Sequence, residues 1–356
     1  MSAATHPNAL VDPAWVRALP KVELHVHVEG AARATTVADL ARRHDVNLGV
    51  SDPADLYRYA DLADFLRVFD LVCRVLVDAD DIHRVTYESL QIAQWAGVRR
   101  REMFFSPTFL LRHGVPFATI WDGLSRGAAD ARHDFGVECG LIMDVDKPSG
   151  AAAATELLAM AESCDRALLI GIGGDAGERG VDLDAFAAPF AAARARGWRT
   201  TMHLGEEGPA ADIRVGVDVL GVDRIDHGVS LVHDLALTAQ VADQRIPVTC
   251  CPSSNVQIGI IASIADHPIA ALRGAGVLVG VNSDNAEMFG VDMADELSNV
   301  SAAFEWAIDD LEDLCLAGVE SSWLDDTAKQ QMTAEFVAEM NGLRAAHGAP
   351  SRGEGT

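Results

Sequence analysis

Eight short runs of apolar and β-branched residues recur along the chain, and the stretches between most of them carry helical periodicity. The runs are VELHVHV (22–28), REMFFS (101–106), ECGLIMDV (138–145), ALLIGIG (167–173), RTTMHLG (199–205), DRIDHG (223–228), IPVTCC (246–251) and VLVGVN (277–282). Intervening stretches such as DAFAAPFAAARARG and IAALRGAG close on glycine, which tolerates the left-handed turn at a helix C-terminus. Strands alternating with helices are parallel strands joined by crossovers. A count of eight closes a ring, so the expected fold is α/β, a (β/α)8 TIM barrel, rather than an open doubly wound sheet. We expect one domain over residues 1–356, with the barrel at about 20–320. A helical insertion after the first strand, at about 30–98, contains the apolar stripe Leu62, Phe65, Leu66, Phe69, Val72, Cys73 and Leu76. A C-terminal helix and tail follow at about 321–356.

Composition narrows the possible partners. At 49% hydrophobic content, 356 residues can bury a substantial core. The formal charge of -25, from 53 acids against 28 bases, repels phosphate backbones and anionic lipid, so neither nucleic acid nor membrane is an expected partner. Six cysteines without C-x-x-C spacing read as reduced thiols, and MSAATHPNALVDPAW has no basic-then-apolar leader, which points to a cytoplasmic protein. No pattern in the sequence encodes an oligomeric state.

The first run holds two histidines. Side chains two apart on a strand share a face, so His25 and His27 point together toward the mouth of a barrel. Alone, H-x-H reads at least as well as two core histidines bonded to carbonyls. Other strand ends change the balance: the fifth run closes with His203 and Glu206, the eighth with Asp284, and the sixth with His227. Imidazoles and a carboxylate converging at one mouth are the donors of a catalytic zinc site that keeps a position for water.

HVHVEG, MHLGEEGP, RIDHG, CPSSN and VNSDN, spanning residues 20 to about 290, resemble the signature segments of the adenosine deaminase family within the amidohydrolase superfamily. The resemblance implies a zinc-dependent hydrolytic deaminase of a 6-aminopurine (adenosine, adenine or a modified adenosine), a small-molecule substrate whose amino group leaves as ammonia. It implies that His25, His27, His203 and Asp284 hold one Zn²⁺ per chain. By the same resemblance Glu206 protonates purine N1, His227 orients and helps deprotonate the water, and Asp284 takes part in catalysis as well as ligation. Asn285 stands where many members carry an Asp that contacts N7, and an amide can donate there. Glu29 stands where nucleoside deaminases have an Asp reaching the ribose; a Glu is more like the adenine deaminases, the alternative being a surface acid at a helix N-terminus.

Ala176, in GIGGDAGE, takes the place of a Gly whose N–H meets N3, and the spacing of that segment fits the dinucleotide pattern too loosely to support it. Phe65, Leu66 and Phe69 resemble the family's wall over the purine, though such a stripe also serves plain packing. Ser253, Ser254 and Asn255 of CPSSN either support the metal ligands or form a turn. Two competing readings are another amidohydrolase acting on a non-purine amine or amide and a catalytically silent binding homologue. A two-metal centre is set aside because none of Lys21, Lys147 and Lys329 falls at the end of an expected strand to serve as a bridging carboxylated lysine.

Overall fold

The computed structural model describes residues 11–352; positions 1–10, which include most of MSAATHPNALVDPAW, and the last four residues of the tail lie outside the described residues. Eight parallel strands follow one another in chain order: β1 (Lys21–Glu23), β2 (Val98–Phe105), β3 (Glu138–Asp146), β4 (Leu169–Asp175), β5 (Arg199–Leu204), β6 (Arg224–His227), β7 (Val248–Cys250) and β8 (Val279–Val281). The expected eight strands are all present, with ends shifted by a few residues. The largest shift is in the first, expected at 22–28. The ladder breaks at Leu24, whose N–H donates to the Asn282 side chain at 2.8 Å instead of to a neighbouring strand. Pairing then resumes beyond the break: His27 N–H donates to Asp284 O at 2.8 Å, and Asp284 N–H to His25 O at 3.0 Å. These bonds close β8 onto β1, so the ring is joined by the same backbone that presents two histidines and an aspartate.

Glu23 has a structural role below the mouth. Fully buried, it accepts from Arg101 Nε at 2.7 Å and from Ser283 N at 3.1 Å, while Arg101 Nη1 donates to Ser89 O at 2.7 Å. One carboxylate thus ties β1 to β2, to the helix Ala79–Trp95 and to the segment after β8. A neighbouring cluster seals the floor, where Glu102 accepts from Arg224 at 2.9 Å and from Arg100 at 3.0 Å, and Arg224 stacks 4.2 Å over Trp323. Breaking a buried pair leaves a bare charge, which costs far more than the pair itself contributes. Glu23→Ala therefore lowers unfolding free energy by about 3–5 kcal/mol, measured by urea denaturation; a loss under 1 kcal/mol would contradict this role.

The insertion between β1 and β2 carries the helices Ala34–Arg43, Leu62–Cys73 and Ala79–Trp95. Asp61 caps the second by accepting from Asp64 N at 2.9 Å, and its stripe Phe65, Val68, Phe69, Val72 and Cys73 is buried. Tyr59 Oη donates to Met288 O at 2.5 Å, holding the insertion over the loop that follows β8. At the C-terminal end the helix Ile308–Ser321 packs against β8 and β1, with Gly318 close over Val22 O, and the helix Asp326–Ala346 lies outside it. Among the described residues no helix is long and apolar enough to cross a membrane.

Candidate active site

The strand ends bring His25, His27, His203, Glu206, His227 and Asp284 together, all buried. His27 Nε2 lies 3.1 Å from His203 Nε2, His27 Nε2 3.4 Å from Asp284 Oδ1, and His25 Nε2 3.5 Å from the same oxygen. Ligands at about 2.0–2.1 Å around a tetrahedral zinc stand about 3.3 Å apart. These separations therefore fit the edges of one such coordination shell. The second layer aims the lone pairs: Thr249 Oγ1 donates to Asp226 Oδ1 at 2.8 Å and sits 3.0 Å from His25 Nδ1. With that hydroxyl proton committed, Nδ1–H donates and Nε2, which has no hydrogen-bond partner, is left as the bare ligand atom. Burial opposes ionisation of Asp284, but the surrounding histidines, His25 foremost, override it and hold the carboxyl below the usual range. Its Oδ2 accepts from Ser254 Oγ of the CPSSN segment at 2.6 Å and its Oδ1 from Asn285 Nδ2 at 2.7 Å.

Glu206 and His227 face each other, with His227 Nδ1 3.4 Å from Glu206 Oε1. Burial, with Asp284 and Glu178 nearby, pushes the Glu206 carboxyl well up, and burial together with His25 pushes the His227 imidazole well down. At neutral pH these environments favour a protonated acid beside a neutral base. A relay missed in the sequence fixes which oxygen holds the proton. Ile269 N–H donates to His267 Nδ1 at 3.1 Å, so His267 carries its proton on Nε2 and faces Asn255 Oδ1 at 3.3 Å. Burial pushes the His267 imidazole down to about 4, so it stays neutral. The Asn255 amide is thereby oriented, and its Nδ2 donates to Glu206 Oε1 at 2.9 Å, leaving Oε2 to carry the proton. Removing that donor with Asn255→Ala lowers kcat by about 10–100-fold with little change in KM, read by steady-state kinetics; an unchanged kcat would show the relay to be idle.

The cavity above these groups is walled by Leu62, Phe65, Leu66, Phe69, Phe109 and Phe289, and about 40 Å³ of it is open to the centre of a water molecule. Phe65, Leu66 and Phe69 therefore line the cavity as well as packing into the insertion. Ala176 and Asn285 line it too. Glu29 does not: it is neither on the surface nor in the cavity wall, but buried behind it, where Oε1 accepts from Ser106 N at 3.0 Å and burial pushes the carboxyl up to about 7. Asp175, which no sequence motif marks, reaches the wall; Ser106 Oγ donates to its Oδ2, while Oδ1 has no partner among the described residues. Among the described residues six non-glycine positions have positive φ, and three of them, Ala176 (63°), His227 (66°) and Asp284 (63°), sit at this mouth. That backbone is costly for L-residues and is held only where its surroundings fix it, as at functional sites.

A comparison with known families matches residues 20–339 to adenosine deaminase. The chain belongs to the adenosine deaminase family. Within that family it is 36% identical over 330 residues to an adenine deaminase of Streptomyces coelicolor, covering 92% of this chain and 96% of the relative. An adenine deaminase of Schizosaccharomyces pombe is 31% identical over 345 residues, covering 92% and 94%. Among solved structures, an adenine deaminase from Arthrobacter aurescens superposes with a TM-score of 0.86 at 30% identity, over 90% of this chain and 99% of that one. An amidohydrolase from Burkholderia ambifaria with bound Zn gives 0.89 at 31%, over 95% of each. Membership in the adenosine deaminase family makes this chain a hydrolase of C–N bonds in cyclic amidines, acting on an aminopurine, and its His/Asp cluster is suited to a metal.

Proposed function

We propose that the chain hydrolyses the free base adenine to its 6-oxo product and ammonia, using one Zn²⁺ held by His25, His27, His203 and Asp284. The observation that carries this reading is the placement of Glu206, an acid environment-tuned to stay protonated, directly beside His227 and the four donor groups. When bound, zinc supplies Lewis acidity that lowers the pKa of a coordinated water toward about 7. Glu206 Oε2 gives its proton to ring N1, which makes C6 electrophilic. Neutral His227 accepts the proton of the attacking water, and the C6–N bond breaks as ammonia departs carrying the transferred proton. The phenylalanine wall flattens the ring against the mouth and keeps bulk water out.

Two features favour the base over its nucleoside. The two sequence relatives named above are adenine deaminases. In addition, the partnerless Asp175 Oδ1 adjoins Ala176, whose N–H would meet N3; the next nitrogen along that edge of a free base is N9–H, a donor that a nucleoside lacks. An absorbance screen of zinc-loaded protein on adenine, adenosine and 2′-deoxyadenosine tests this. Adenine is turned over with the highest kcat/KM, and Asp175→Asn lowers that value by about 10–100-fold, the worth of one hydrogen bond to a charged group. Preferential turnover of adenosine would overturn the choice of substrate.

A further inference from the structure

We propose that Glu178 is a positioning residue that ties the segment Asp175–Ala176, which meets N3 and N9–H of the base, to the proton donor Glu206 at N1, so that contact at the first edge sets the rate of proton transfer at the second. The inference rests on the adenine reading above. It starts from a seam in the barrel. Among the described residues the ladder between β4 and β5 holds only Gly171↔Arg199 and Ile172↔Thr200, the pairs away from the mouth; beyond them β4 stays paired with β3 and β5 with β6. Backbone pairing between these two strands is therefore lacking where Asp175 and Glu206 stand.

Side chains close the seam instead. Lys147, which follows β3 directly although the sequence placed no lysine at a strand end, donates from Nζ to His203 O at 2.5 Å. Glu178 is buried and spans the gap with both oxygens, Oε2 accepting from Gly205 N and Oε1 from Glu206 N, each at 2.9 Å. Glu207 returns the bond, its Oε1 accepting from Glu178 N at 3.2 Å. Successive N–H groups around a left-handed residue form a concave seat for an anion, and Gly205 supplies that residue at φ 69°. A side chain there is excluded, since a Cβ would fall 2.5 Å from Ile213 Cδ1 and Ser230 Oγ. Gly208 leaves room for the carboxylate itself: a Cβ on it would collide with Glu178 Oε2. The glycines and second glutamate of MHLGEEGP, which ligation and proton transfer leave unexplained, thus form one clamp with the last residue of GIGGDAGE. Asn255 holds the tip of Glu206 and Glu178 holds its root. Because Glu178 stands two residues beyond Ala176, a shift of the Asp175–Ala176 segment is passed to the main chain of Glu206.

The test is a double-substitution cycle read by steady-state kinetics on zinc-loaded protein with adenine, with the metal counted in each variant. Glu178→Gln offers one oxygen and one NH₂ group to two N–H donors, so a bond to the loop is lost. Its kcat falls by up to about 100-fold, the scale of misplacing a reacting group by about 1 Å, while the zinc count matches wild type. Gly208→Ala displaces the same carboxylate from outside, keeps its charge, and lowers kcat likewise. In wild type Asp175→Asn lowers kcat as well as raising KM; in either variant background it raises KM alone. A residue that only stabilised the fold would leave the kcat effect of Asp175→Asn intact, because independent sites add. Should Glu178→Gln fail to fold, Gly208→Ala carries the same cycle. Full kcat in Gly208→Ala, or an Asp175→Asn factor on kcat that is the same with and without the intact clamp, overturns the proposal. Wild type inactive on adenine removes the substrate reading and this coupling with it, and is distinguished because it appears before any substitution is made.

Discussion

Glu206→Gln lowers kcat on adenine by about 10²–10⁴-fold, the range expected when a positioned general acid is lost, while the bound zinc and KM change little. Glutamine keeps the shape of the side chain and can still accept from Asn255 Nδ2 through its amide oxygen, so the relay from His267 survives. What disappears is the transferable proton. Without it N1 stays unprotonated, the ring keeps its electron density, and C6 resists attack. Steady-state kinetics paired with metal analysis separates this from a folding or metal-binding defect. A variant with full rate and full zinc would show that the proton comes from elsewhere.

Stripping the ion abolishes turnover and also destabilises the fold, and both are restored by adding zinc back. His25 Nε2 has no hydrogen-bond partner without an ion, and the His27 and His203 Nε2 atoms face each other at 3.1 Å. His25 and His27 follow β1, His203 lies on β5 and Asp284 follows β8, so an ion among them also clamps the point where the barrel closes. A ligand at a thousandfold excess over its dissociation constant stabilises by about 4 kcal/mol. Thermal melts with zinc and with chelator should therefore differ by several degrees. Coincident melts, or a chelated protein at full rate, would contradict the assignment of these residues.

The eight strands were legible because each is a short β-branched run between helical stretches, a pattern that depends only on local composition. The extent of β1 was not, because its break at Leu24 is caused by Asn282, 258 positions away in the chain. The histidines and acids at the mouth could be gathered from their positions at strand ends, since a parallel barrel puts every such end on one face. Their supporting groups carry no such signal. CPSSN marks Asn255 without saying what it bonds to, whereas Asp226 and His267 matter through the atom each presents to a neighbour on another strand or loop, and His267 lies in a segment with no motif. Glu29 was read as a contact or a surface acid from its place in HVHVEG, yet its carboxylate turns away to Ser106. Asp175 carries no signal of its own in GIGGDAGE, where only the glycine spacing forms a pattern. Nor does the alanine at 176 announce that its backbone is left-handed there, at φ 63°.

The central claim is that residues from both ends of the barrel sequence surround one zinc ion. Diffraction data collected on either side of the zinc absorption edge, from crystals grown with the metal, test it most directly. The account predicts a strong anomalous peak about 2.0–2.2 Å from His25, His27, His203 and Asp284 together. A peak bound elsewhere, with these four side chains still packed against one another and no scatterer among them, would contradict it.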